Sequence, residues 1–232
     1  MTPDLLNRLF QKKRILDYLS QLSTVVIGIL ITFAGSGLIE RCSRQKELNE
    51  VMYAVRNELI INKELLNTSL QFLEQEYTFY KQLDAVRHDI RQLSEDTLRK
   101  YHLVPFLSYN RVARKNAMEA LKTSGLVQDI KDKDFLVKLL GIYTSYEDFQ
   151  LIRSEYYHDR EQNILPLILS ADQEKTEQMN TGSSRERWAY MWENNTARNY
   201  FLHAPGRLAG ILHAGKAFLD ETDELLEALE RY

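Results

Sequence analysis

Few side chains in the sequence are arranged for chemistry, and the best candidates are Glu155 and His158. Glu and His three residues apart share one helix face, and this spacing is half of the di-iron carboxylate pattern. The pattern needs a second Glu-x-x-His, and no other histidine of the chain has a Glu three residues before it. We therefore interpret residues 155–161, EYYHDRE, as a solvated charged face, and expect no metal site and no cofactor.

Other enzyme signatures are missing from the sequence. It contains no HExxH, P-loop or G-x-S-x-G motif, so hydrolase and ATPase activities have no support. Cys42 is the single cysteine, which excludes an intramolecular disulfide and leaves a passive residue at a membrane edge. Trp188 and Trp192 lie four apart, a spacing that favours packing on one helix face over a ligand cage. We expect a protein without catalytic activity.

Charge and composition restrict the fold class and the partners. Lys and Arg number 30 against 33 Asp and Glu, a net charge of -3, so a nucleic-acid partner is not expected. Only 9 Gly and 4 Pro occur, and few stretches alternate apolar and polar residues as strands do. The sequence predicts an all-α protein.

The most informative segment is Tyr18–Ile39, 22 residues without one charged side chain. As a helix it would be roughly 33 Å long, enough to cross a bilayer core of about 30 Å. A buried core helix of this length would normally carry a polar stripe. A cleaved signal peptide is an alternative, because Lys12, Lys13 and Arg14 precede the segment and small residues follow it. We interpret residues 18–39 as an uncleaved transmembrane helix, preceded by a short helix at 1–17.

Small residues recur every fourth position in this segment, and so lie along one helix face. They are Thr24, Gly28, Thr32 and Ser36. Such a ridge allows another membrane helix to approach closely. We expect it to be a face for membrane-helix association.

Flanking charges decide the expected orientation. The cluster Lys12-Lys13-Arg14 favours a cytoplasmic N-terminus and a periplasmic bulk in a bacterial inner membrane. Basic residues also follow the segment, at Arg41 and Arg44, so the opposite orientation stays open.

Residues 40–232 are predicted to form a helical bundle, with the transmembrane helix continuing into a long helix that packs in an antiparallel bundle. No Gly or Pro occurs between Leu38 and Leu103, which favours long helices. Apolar residues recur at helical spacing, at Leu48, Met52, Val55, Leu59, Leu66, Leu70, Leu73, Tyr77 and Tyr80. Asn62 and Ser69 interrupt a strict heptad, which favours packing within the chain over a parallel coiled coil.

Breakers and capping residues predict the later helix boundaries. A helix should start at Ser94, another near Ser108 or Asn110 should end at Gly125, and a third should run from Asp132 or Asp134 toward Pro166. Polar residues at 171–186 predict a flexible connector. Two last helices, at 187–202 and 207–231, should be separated by Ala204-Pro205-Gly206.

Two stretches resemble one uncharacterised bacterial family of small single-pass membrane proteins. The first is STVVIGILITF followed by NEL-x6-ELL, and the second is NAMEALKTSGLVQDIKDKDFLVKLLGIY. The family pattern E-x-LK-S-SG-x-L-x-x-I-x-D corresponds here to Glu119, Leu121, Lys122, Thr123, Ser124, Gly125, Ile130 and Asp132. In place of the family's NNWNE-like stretch this chain has Gly35–Glu40. The resemblance covers residues 14–70 and 115–145, and implies membrane attachment and a helical domain but no activity.

Three classes of function follow from these observations. The first is a membrane-anchored interaction or scaffold protein, a subunit of a homo- or hetero-oligomeric membrane assembly, whose partners are the lipid bilayer and either itself or another membrane protein. The second is a ligand-sensing bundle that signals through a membrane partner. The third is an enzyme with a noncanonical site. The lack of a catalytic cluster favours the first.

Overall fold

The computed structural model describes the backbone of residues 3–86, 89–175, 177 and 182–230; within the first helix it describes side chains at 24–27 and from 38 onward. All regular structure in these residues is helical, as the composition predicts. The chain divides into two compact units, residues 1–51 and 52–232.

The described helices are α1 (Pro3–Ala85), α2 (Glu95–Lys100), α3 (Asn116–Thr123), α4 (Lys133–Leu169), α5 (Ser184–Glu193) and α6 (Asn195–Leu229). Short 3-10 turns lie at Ile90–Gln92 and Leu126–Asp129. α1 begins at Pro3, within the range predicted for a short helix at 1–17, and continues without a break to Ala85.

The unit of residues 1–51 consists of the first part of α1. Val25, Val26 and Ile27 are about half exposed, and Leu38 and Ile39 are more exposed still. Among the residues whose side chains are described, no helix has a window long and apolar enough to cross a membrane. Most side chains of the predicted 18–39 segment lie outside that described part.

The predicted small-residue ridge also falls mainly outside the described residues. Thr24 is exposed, whereas the side chains of Gly28, Thr32 and Ser36 are not described. Their role in helix association stays a prediction.

Several predicted helix ends are confirmed in the unit of residues 52–232. The Ser94 hydroxyl accepts a hydrogen bond from the Thr97 N–H, and Asp132 caps α4 by accepting from the Phe135 N–H. Gly125 has φ +73°, the left-handed conformation expected after a helix. Side-chain caps set the first two boundaries, and the backbone freedom of glycine sets the third.

Other predicted boundaries are wrong. Residues 107–115 have no regular secondary structure, so the helix expected from Ser108 or Asn110 begins only at Asn116. The proline breaker does not divide the last helix, because α6 continues through the buried Pro205. Packing of the helix on both sides of Pro205 compensates for the hydrogen bond that proline cannot donate.

The connector predicted at 171–186 is shorter than expected. α5 starts at Ser184, and a capping box between Ser183 and Glu186 fixes its first turn. Residues 176 and 178–181 of the predicted connector lie outside the described part.

α1 and α4 run in the same direction. Tyr146 donates to the Asn62 carbonyl, Arg153 to Ser69 and Arg160 to Glu76. Each pair is separated by 84 residues, so the partners advance together along both helices. α1 and α4 are therefore parallel, which differs from the antiparallel bundle predicted from the sequence. The connection between them returns the chain to the start of α1's packed part before α4 begins at Lys133.

α6 runs opposite to both α1 and α4. Against α1 it forms the pairs Arg56–Glu230 and Glu74–Lys216, and against α4 the ring of Phe218 packs edge-on against Tyr146. Gly215 is the point of closest approach, since a Cβ there would meet Leu70 and Phe149 side-chain atoms.

Candidate functional site

Two series of buried positions on α1 each repeat every seven residues, and the second of them is polar at its three middle positions. The apolar series is Leu59, Leu66, Leu73 and Tyr80, and the alternating series is Val55, Asn62, Ser69, Glu76 and Leu83. Asn62, Ser69 and Glu76 are each 4% exposed or less. Tyr77, predicted for this stripe, is half-buried, and Glu76 takes the buried position. Three consecutive polar core positions therefore face α4.

α4 carries a matching series seven residues apart, Tyr146, Arg153 and Arg160. Arg153 is 2% and Arg160 0% exposed. We call the three facing pairs, Asn62–Tyr146, Ser69–Arg153 and Glu76–Arg160, the polar ladder. Buried polar groups of this kind are retained only where each finds partners, and the partners come from a third segment.

That third segment is the stretch from Val104 to Lys115, which forms neither helix nor strand and which we call the strap. Arg160 donates to the carbonyls of Val104 and Leu107, and Arg153 donates to the Arg111 carbonyl at 2.8 Å. The side chain of Asn62 donates to the Arg114 carbonyl and accepts from the Arg114 N–H, both at 2.8 Å. The strap therefore runs along the seam between α1 and α4, in the direction opposite to both helices.

The start of α3, where the strap ends, is held by Glu58. Its carboxylate accepts hydrogen bonds from the N–H groups of Ala117 at 2.8 Å and Met118 at 3.3 Å, and from the Tyr143 hydroxyl at 2.7 Å. The α3 N-cap residue, Lys115, provides no side-chain cap. A carboxylate at a helix N-terminus meets free N–H groups and the positive end of the helix dipole. Glu58 therefore caps α3 from another helix.

The rung that pairs two opposite charges is Glu76 with Arg160, joined at 2.9 Å. Tyr156 also donates to Glu76, at 2.6 Å. Burial raises the pKa of Glu76, while the Arg160 cation and the hydroxyls of Tyr156 and Tyr80 oppose that rise. Burial lowers the pKa of Arg160, but Glu76 and neighbouring tyrosines outweigh it and leave that pKa raised. The geometry supports an ion pair.

A small cavity of about 120 Å³ adjoins this rung. Glu76, Ser108 and Tyr157 supply its polar lining, and Phe72 and Leu107 are among its apolar residues. Its size suits a few waters or a very small molecule. Arg160 and Tyr156 already form hydrogen bonds with Glu76. Arg160 also binds the strap backbone, so this rung holds the strap in place.

An aromatic cluster closes the same end of the helices. Trp188 is fully buried. Its ring is tilted against Phe79 at 4.7 Å and edge-on to Phe201 at 5.4 Å, and its ring N–H donates to the Leu98 carbonyl at 3.3 Å. Trp192 is also buried. The packing role expected for both tryptophans is confirmed.

The residues singled out in the sequence are not brought together. Glu155 and His158 are exposed, and His158 contacts Gln162. Across the described residues, no group of three or more His, Cys, Asp or Glu lies close enough to hold a metal ion. Cys42 is exposed.

The reading of residues 155–161 as a solvated face is wrong for three of them, because Tyr156, Tyr157 and Arg160 are buried. The seven-residue spacing of Tyr146, Arg153 and Arg160 could have indicated that these side chains share one buried helix face. Its partners on the strap could not be read from local sequence.

Comparison of the chain with protein-family models, curated proteins and solved structures finds no match in any of the three. The family resemblance of residues 14–70 and 115–145 therefore stays a prediction.

Proposed function

We propose that this protein is a membrane-anchored helical interaction protein, a non-catalytic subunit of a membrane assembly. The observation that carries the proposal is the uncharged run Tyr18–Ile39. A segment of this length and polarity is typical of a transmembrane helix. The exposed side chains at Val25, Val26 and Ile27 are apolar, and a bilayer would cover them.

The helical domain of residues 52–232 provides the part that contacts partners. Its core is an α1–α4–α6 bundle held by the polar ladder, and the buried polar groups of that ladder serve to specify one arrangement of the helices. A rigid helical domain of this kind offers long, regular faces for partner helices. The N-terminus is proposed to lie in the cytoplasm and the bundle in the periplasm, with Thr24, Gly28, Thr32 and Ser36 as an association face in the membrane.

Membrane fractionation tests the anchor. The full chain should remain with membranes after alkaline carbonate extraction, because burying about 20 apolar residues exceeds what a surface helix gains. Release into the soluble fraction would refute the anchor. A C-terminal reporter active only in the periplasm should give signal, and signal from a cytoplasm-only reporter would reverse the orientation.

Purification in mild detergent tests the interaction function. The protein should elute as a complex, and mass spectrometry of that complex would separate self-assembly from assembly with another membrane protein. A monomer without associated proteins would contradict the proposal.

A further inference from the structure

The three seams between α1, α4 and α6 are closed in different ways. The strap covers the α1–α4 seam. The ion pairs Arg56–Glu230, Lys63–Asp223 and Glu74–Lys216 bridge the α1–α6 seam. The outer side of the α4–α6 seam has neither a covering segment nor such a series of ion pairs among the described residues.

A groove follows that outer side. Three adjoining cavities of about 320, 200 and 270 Å³ lie along it. The first two share Ser145 and Glu221, and the last two share Phe149, Ile152 and Ala214. From Lys138 to Glu155 the groove is roughly 26 Å long at about 1.5 Å per residue, the length of a helix of about five turns.

The floor of the groove is apolar. Ile142, Phe149 and Phe218 contribute to it, and Ile152 is 46% exposed. At Gly141 and Gly210 nothing lies within 4 Å of where a Cβ would be. A helix could therefore approach the floor closely without displacing internal packing.

Carboxylates flank the groove. Asp148, Glu155, Glu221 and Glu224 line it and are exposed, and none of them forms an ion pair within the described part of the chain. The lining cations are Lys138 at one end and Arg207 at the other, where Arg207 is already paired with Asp159. The flanks are therefore acidic, which favours basic side chains in an occupant and opposes the same groove of a second copy.

We propose that this groove binds one amphipathic helix of a partner protein, apolar on the inner face and flanked by Lys or Arg. This proposal rests on the proposed interaction function and assigns its site. Helix-in-groove recognition of this kind takes its affinity from apolar anchors and its choice of partner from the flanking charges.

A photo-crosslinking experiment tests the proposal with the full chain in zwitterionic lipid nanodiscs and protein-free nanodiscs as a blank. The probe is a synthetic helix of about 18 residues with leucine on one face and lysine on both flanks. A second probe replaces each lysine with glutamate. The lysine probe should crosslink to α4 between 138 and 155 and to α6 between 207 and 224, with a yield well above that of the glutamate probe.

One variant blocks the groove, a second is its control, and a third reverses the charge of one flank. Gly141→Leu/Gly210→Leu fills the floor and should lower the lysine-probe yield about tenfold. Gly206→Leu also adds a side chain into open space on α6 but lines none of the three cavities, and should leave the yield unchanged. Glu221→Lys/Glu224→Lys should lower the lysine-probe yield and raise that of the glutamate probe.

Equal yields from both probes, or an unchanged yield in the blocked variant, would overturn the proposal. A change in the mass of the protein's own assembly in the blocked variant without probe would overturn it too, because the occupant would then be a second copy. Carbonate extraction and detergent co-purification do not depend on the groove, so failure here leaves the proposed membrane-anchored function to its own tests.

Discussion

Asn62 binds the backbone of Arg114 twice, as donor to its carbonyl and as acceptor from its N–H, both at 2.8 Å. The two residues are 52 positions apart. Asn62 is fully buried, so a single side chain satisfies two backbone groups of the strap that no helix or sheet pairs.

Asn62→Leu should destabilise the protein, although it restores an apolar residue to the heptad. It would leave the Arg114 N–H and carbonyl without partners, at a cost of about 2–4 kcal/mol in the free energy of unfolding. Denaturant unfolding of the full chain measures this. Asn67, exposed on the same helix, supplies the control Asn67→Leu, with an expected change below about 0.5 kcal/mol. A stabilising Asn62→Leu would mean that the strap does not depend on this pair.

Arg160→Met should cost about 3–5 kcal/mol, because it leaves the buried Glu76 carboxylate unpaired. Glu76→Leu/Arg160→Met should recover part of that loss, since neither charge then remains buried. Denaturant unfolding of Glu76→Leu, Arg160→Met and the double variant gives the coupling free energy between the two side chains. Arg207→Met breaks a half-exposed pair with Asp159 and should change stability by about 1 kcal/mol or less. A double variant less stable than either single one would argue against the ion pair.

Stability should fall in alkaline solution. Burial raises the pKa of Tyr157 to about 12, and raises the pKa of Tyr80, Tyr143, Tyr146, Tyr156 and Tyr200 further. These phenols stay protonated in the folded chain but ionise near pH 10 once unfolded. Their contribution is complete below pH 10 and is lost above it, at about 1.4 kcal/mol per pH unit for each phenol.

Ultraviolet titration of tyrosinate checks this expectation. Six of the 13 tyrosines should ionise only as the chain unfolds. Tyr146→Phe removes one of the buried phenols, so the free energy of unfolding should fall by about 1.4 kcal/mol less per pH unit above pH 10. Tyr53→Phe, at a 66% exposed position, should leave that slope unchanged. Smooth ionisation of all tyrosines near pH 10 without unfolding would contradict the burial.

Gly215→Leu should destabilise the helical domain. A Cβ at this position meets Leu70 side-chain atoms and lies 3.0 Å from a ring carbon of Phe149, so a larger side chain overpacks the α1–α4–α6 contact by about 1–3 kcal/mol. Gly210→Ala adds a methyl group into open space and should stabilise α6 by up to about 1 kcal/mol. Thermal unfolding compares the two, and equal shifts would refute the close approach at Gly215.

Gly28→Leu should reduce association within the membrane, because its side chain would fill the surface between Thr24 and Thr32 on the predicted ridge. Leu30→Ile should have little effect. Crosslinking of the full chain in membranes measures oligomer yield. An unchanged yield in Gly28→Leu would exclude the ridge as an interface and leave assembly to the helical domain.

Local signals predicted much of this fold. Ser94 and Asp132 begin helices through hydrogen bonds to residues three positions later, and Gly125 ends one through its left-handed backbone. These effects are local, so the sequence was sufficient to predict them. Asn62 and Ser69 were recognised as interruptions of the heptad. The strap was not predicted because its partners lie 42 to 56 residues away. Arg153 and Arg160 bond its backbone, and the helix expected there does not form. The continuous α6 was missed because tertiary packing overrides the preference of Pro205.

The 84-residue offset between α1 and α4 also determines when each rung can form. During synthesis, at about 5–20 residues per second, each residue of α4 emerges about 4–17 s after the α1 residue that it contacts. In that interval Asn62, Ser69 and Glu76 interrupt the apolar stripe of the waiting helix. These polar positions weaken premature pairing between neighbouring nascent chains until the strap reaches Asn62 and α4 reaches Ser69 and Glu76.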